Sequence, residues 1–124
     1  MTAPNMLAAA SITGSTSGTS LSSTSAISVL SNASGSNKVY KINTLNVANN
    51  TTSTVANLTV SYYSAAALGG TAYPIVSMIT VIPGSTLTVI DRGTQYYLQE
   101  NSSIGANANI ANALTITVSY EDIS

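Results

Sequence analysis

Cysteine and histidine are both absent from this chain of 124 residues. Without cysteine there can be no disulfide and no thiolate metal site. Without histidine the commonest general base and the commonest transition-metal ligand are lost together. Charge is scarce too: three basic and four acidic side chains, 6% of the residues, give a formal net charge of −1. Lys38, Lys41 and Arg92 are too few to neutralise a run of phosphates, which argues against nucleic acid as a partner. Polybasic attachment to a membrane fails on the same count. No apolar run approaches the roughly 20 residues of a spanning helix. The short run at 6–10 has no basic stretch before it and does not read as a signal peptide.

What remains is an uncharged polar chain with a β character. Ser and Thr together make up about 30% of it, where ordinary soluble domains use about 25% charged residues instead. Solubility therefore rests on hydroxyls and amides. Thr, Val, Ile and Tyr have the branched or aromatic shapes that fit a pleated surface. Low charge also weakens repulsion between copies, which suits a homo-oligomer or a chain packed against neighbours. The length implies one core, with no need of staples.

Hydrophobic period divides the chain into short strands. Residues 11–25, SITGSTSGTSLSSTS, read by composition as a flexible arm, or else as short strands around the glycines. Residues 26–124 then form the domain proper. A strand is expected at 26–31, followed by the turn cluster SNASGSN. KVYKINTLNVAN is a strand with Leu45 and Val47 inward and a bulge near Lys41, where its phase is unclean. Ala56, Leu58, Val60 and Tyr62 alternate with polar neighbours, the period of a half-buried strand. Residues 64–74 read as a loop with a Gly-Gly break. IVSMITVI, 75–82, is apolar on both faces and is expected to be a central, doubly covered strand. Pro83-Gly84 carries type II turn chemistry. Strands follow at 85–91 and 94–99, GANANIANAL reads as a loop with at most one helical turn, and Leu114, Ile116, Val118 and Tyr120 mark the last strand. The sum is an all-β chain folded as a single antiparallel β-sandwich, jelly-roll-like, with an extended N-terminal arm.

Few residues carry chemistry. VIDRGTQYYLQEN concentrates Asp91, Arg92 and Glu100 around two tyrosines. If the strands at 85–91 and 94–99 formed a hairpin, Asp91 and Glu100 could converge as a glycosidase pair does. The plainer reading places Asp91 and Arg92 at a solvated turn, since charged residues collect there and surface pairs are weak. Glu121 and Asp122 are adjacent carboxylates, but no Asp-rich loop supplies the six to eight oxygens that Ca²⁺ takes. Serine nucleophiles abound without a base, and SITGSTSG lacks the lysine of a phosphate loop. Catalytic, cofactor-binding and metal residues are therefore expected to be none, and the chain is not expected to be an enzyme. The N-x-[ST] sites at Asn32, Asn49, Asn50, Asn57 and Asn101 are what chance gives in so Asn/Ser/Thr-rich a chain. Tyr62-Tyr63 and Tyr96-Tyr97 could form a sugar-stacking platform, but strand alternation argues for one core and one solvent-facing ring in each pair.

SITGST, KVYKINTLNVANN, LTVSYY, IPGSTLTVIDRGTQYYLQENSSI and ITVSYEDIS together resemble a group of small tailed-bacteriophage virion proteins. The resemblance spans most of the chain from Lys38 onward. It implies a β-sandwich structural subunit located in the virion, with Asp91 and Glu100 at hairpin positions. Three functions follow from it or compete with it. The first is a capsid decoration (cement) protein whose partner is the major capsid protein, lashed by residues 1–20. The second is a neck, collar, tail or fibre-attachment component bound to other virion proteins. The third is a carbohydrate-binding host-attachment module with exposed, coplanar tyrosines.

Overall fold

The computed structural model describes residues 8–124. They form nine strands and, among the described residues, no helix: β1 (Ile12–Ser20), β2 (Ile27–Asn32), β3 (Val39–Asn49), β4 (Ala56–Ala65), β5 (Gly69–Val81), β6 (Thr86–Ile90), β7 (Tyr96–Leu98), β8 (Ser102–Ala108) and β9 (Leu114–Ile123). Every pairing is antiparallel. A five-stranded sheet runs β1-β9-β3-β6, with β7 also on β3; a four-stranded sheet runs β2-β8-β4-β5. Between them lies a core of Leu45, Val47, Leu58, Val60, Ile104, Ile116 and Val118 and their neighbours, all buried. The expected two-sheet antiparallel sandwich is what this sequence forms.

Alternation explains the clearest strands. Ala56, Leu58 and Val60 of β4 and Leu114, Ile116 and Val118 of β9 are buried, while their sequence neighbours are not, apart from Ser61 and Ala113. In β3 the register slips between Ile42 and Thr44 against β9 and between Leu45 and Asn46 against β6. The expected bulge thus falls just past Lys41 and moves the inward set from Ile42 to Leu45. β1 pairs with β9 over its whole length, from Ile12↔Ile123 to Ser20↔Thr115. Its side chains on the core face, Ser15, Ser17 and Thr19, are small hydroxyls at the sheet edge. A Ser/Thr/Gly composition is therefore compatible with a strand here. Residues 1–7 of the expected arm, and the start of the apolar run at 6–10, lie outside the described residues.

Three expectations are corrected. Residues 64–74 are not a loop: β4 and β5 form a long hairpin turning at 66–69, where Gly69 N–H donates to Ala66 O at 3.1 Å. Ala67 and Leu68 both have positive φ, 55° and 61°, the conformation of a type I′ turn. Neither is a residue that favours it, and each left-handed residue costs about 1–2 kcal/mol. Three donated hydrogen bonds hold the tip down: Ala66 N–H to Asn101 Oδ1, Ala67 N–H to Ser31 Oγ, and Leu68 N–H to Ser103 Oγ.

The second correction concerns 75–82. All of it but Ile82 belongs to β5, an edge strand exposed along much of its length. Its apolar residues do not reflect double coverage. The third is GANANIANAL, much of which is strand: β8, between β2 and β4, is the most uniformly buried strand. Its small residues make room for the hairpin tip. A Cβ on Gly105 would lie 2.5 Å from Leu68 Cδ2 and 3.1 Å from Tyr63 Cε1.

Candidate functional site

Asp91 and Glu100 do not form a pair across a hairpin. β6 and β7 both lie antiparallel to β3, with Ile90 opposite Leu45 and Tyr96 opposite Ile42. They therefore run in the same direction, as two parts of one interrupted edge strand, and the hairpin implied for this stretch is corrected. Asp91 sits in the interruption. Its Oδ1 accepts from Gly93 N–H at 2.8 Å, Thr94 N–H at 3.0 Å and Thr94 Oγ1 at 3.2 Å, which is local turn chemistry. Glu100 follows β7, with its Oε2 buried and no hydrogen-bond partner on it.

The remaining charges pair across the five-stranded sheet. Lys38 Nζ lies 3.1 Å from Asp122 Oδ2, and Lys41 Nζ lies 3.6 Å from Glu121 Oε2. The hydrogen bond to Asp122, with its charge, raises the Lys38 pKa above its ordinary value. Tyr40 packs on Tyr120, ring centroids 5.2 Å apart; burial first, and then the charge of Asp122, raise its pKa too.

The charges are segregated along the molecule. Lys38, Lys41, Glu121 and Asp122 gather where β3 begins and β9 ends. Asp91, Arg92 and Glu100 lie in the segments on either side of β7, which pairs with that same part of β3. The opposite end is built from the loops at 21–26, 50–55, 82–85 and 109–113, and none of them carries a charge. Backbone hydrogen bonds join these loops: Leu21 to Leu114 and Asn112, Asn50 to Ala113, and Asn49 to Ser85 and Gly84. The turn at 82–85 is type II as expected, with Gly84 at φ 74° and Ser85 N–H donating to Ile82 O. The whole four-stranded sheet is also free of charged residues. At the uncharged end Val55 and Ile82 lie just beyond the last β4–β5 pair, Ala56↔Val81, and both are exposed, as is Met78 on β5.

The tyrosines occupy the charged end. Tyr62 and Tyr73 are register partners, with ring centroids 6.3 Å apart and planes inclined at 34°. With Pro74, Ile75, Tyr96 and Tyr97 they line a groove of about 320 Å³ between β5 and β7, where the two sheets open. Tyr73 is 56% exposed, Tyr97 50% and Tyr96 37%. The expectation of one core ring per pair is corrected for Tyr96-Tyr97: the edge position of β7 exposes both. Tyr63 is turned to the other face of its sheet, against Gly105, and its place in the groove is taken by Tyr73. Sequence reasoning missed Tyr73 because it lay in what read as a loop; the β4–β5 register was the missing information.

Two of the N-x-[ST] asparagines are structural. Asn32 and Asn49 are buried, and each donates twice: Asn32 to Lys38 O and Leu98 O, Asn49 to Thr54 O and Val81 O.

No family model matches the chain, and no curated protein matches it in sequence. A solved structure of Bacillus endospore appendages, described as a novel family of disulfide-linked pili, is similar in fold. The TM-score is 0.54 at 15% identity, over 99% of this chain and 98% of that one. At that identity the likeness is one of β-sandwich architecture.

Proposed function

We propose that this chain is a non-enzymatic structural subunit of a multi-copy particle, and specifically a capsid decoration protein of a tailed phage, docked through its uncharged end. The observation that carries the reading is the segregation of charge. A surface meant to stay in water usually carries charge on its edges, as β-sheet proteins do to prevent unwanted pairing. Here the uncharged end exposes Val55 and Ile82, and the adjoining edge strand β5 exposes Met78, with no charged residue on that strand. β5 and β1 each have one side without a strand partner among the described residues, which suits addition of a neighbour's strand.

Magnitudes favour a lattice over an isolated complex. Val55, Met78 and Ile82 are already about half buried, so covering the rest contributes roughly 2–5 kcal/mol, while association costs about 4–15 kcal/mol in lost freedom. One patch alone therefore binds weakly; backbone pairing at the edges, or contacts among many copies, must add to it. The strand orders β1-β9-β3-β6 and β2-β8-β4-β5 support the jelly-roll form of the sandwich, a fold common in particle shells. The pilus neighbour favours a second reading, a subunit of a filament or tail-like assembly. This chain has no cysteine, so such an assembly would be held without disulfides.

The test is occupancy of purified particles by a Val55→Lys/Ile82→Lys double variant. Both positions are exposed, so thermal stability should stay within about 0.5 kcal/mol, while occupancy should collapse. Unchanged occupancy would remove the uncharged end from the interface.

A further inference from the structure

We infer that the tyrosine groove at the charged end is a binding site for a neutral sugar. The inference goes beyond the docking role and is independent of what the uncharged end contacts. Four phenol rings converge there from three strands of both sheets, and the most exposed of them, Tyr73 and Tyr97, are half or more open to solvent. Tyrosine has an apolar ring face and a hydroxyl at its tip. That pair of properties matches a pyranose, whose C–H face stacks on a ring while its hydroxyls exchange hydrogen bonds with phenols.

Charge decides against other ligand classes. The six lining residues are Tyr62, Tyr73, Pro74, Ile75, Tyr96 and Tyr97, none of them charged. A phosphate or sulfate would find no cation there. A quaternary ammonium would find rings but no carboxylate among the lining residues. The volume, about 320 Å³, lies at the lower end of small-ligand sites, which run from about 300 to 1,000 Å³. That suits one or two sugar rings better than a peptide segment. Rigidity is built in, since Tyr62 and Tyr73 are fixed by strand register and Tyr96 and Tyr97 by pairing with Ile42 and Lys41.

The experiment is calorimetric titration of the full chain with cellohexaose, maltohexaose and chitohexaose, with tyrosine ring signals followed by NMR. Saturable binding of at least one is expected, with shifts confined to the rings of the groove. Tyr73→Ala and Tyr97→Ala should each weaken it about tenfold or more without changing the melting temperature, and Tyr97→Phe should keep most of the affinity. Failure of all three sugars to bind overturns the inference, as does equal binding by the alanine variants. Binding of decaproline in place of the sugars would assign the groove to peptide and overturn it as well.

Discussion

Asn49 Nδ2 donates to Val81 O at 2.9 Å, and that bond joins β3 of one sheet to β5 of the other. The same amide nitrogen donates to Thr54 O, and Oδ1 accepts from Thr51 N–H and Thr51 Oγ1. One buried side chain thus fixes the loop that carries Val55 and the strand end that leads to Ile82. Asn49→Ala should cost about 2–4 kcal/mol, since buried carbonyls and an amide lose their partners. Urea unfolding measures it; a loss below about 0.5 kcal/mol would mean that water replaces the amide at no cost.

Asp91 separates turn chemistry from catalysis. Its Oδ1 is an acceptor for the 93–94 backbone, a role that an amide oxygen can also fill. Asp91→Asn should therefore be nearly neutral, and Asp91→Ala should lose about 1 kcal/mol. Equal losses in the two variants, measured by thermal unfolding, would mean that the negative charge and not the acceptor is what matters.

Gly105 is required by contact, because the tip of the β4–β5 hairpin lies over it. Gly105→Val would drive a side chain into Leu68, Tyr63 and Ile27 O. A cost of about 1–3 kcal/mol is expected, as for other overpacked sites. Hydrogen exchange should show the loss first at the amides of Ala67 and Leu68, which rely on Ser31 and Ser103; uniform loss across the fold would contradict a local cause.

Alkali should weaken the charged end. Lys38 and Tyr40 both have pKa values raised above their ordinary 10.5 and 10.0, so the folded chain holds these protons more tightly than the unfolded one. Their contribution is complete below the ordinary values and is lost as pH rises through the folded ones. The melting temperature should therefore fall above about pH 10, and less steeply in a Lys38→Met/Tyr40→Phe variant. Identical slopes in the two proteins would contradict the linkage.

Legibility in the sequence followed side-chain size. β4 and β9 were readable because large apolar residues alternate with Thr, Ser and Asn. β8 was not, because Ser103 and Gly105 face a hairpin tip folded over the sheet, where only small residues fit. β1 was ambiguous because the core-side positions of an edge strand need no large residue, and Ser15, Ser17 and Thr19 suffice. The apolar run of β5 suggested burial, but an edge strand can keep such residues for a partner outside the chain. The groove was half legible: Tyr62, Tyr96 and Tyr97 were candidates, whereas Tyr73 required the register of a hairpin whose Ala-Leu turn carries no turn signature.

Copy number in purified particles tests the central claim most directly, by quantitative mass spectrometry against the major capsid protein. A subunit docked across a head lattice through its uncharged end should be present at a number comparable to the capsid protein. A number lower by one or two orders of magnitude would contradict decoration and favour a neck, tail or filament position, and absence from particles would contradict the structural role altogether.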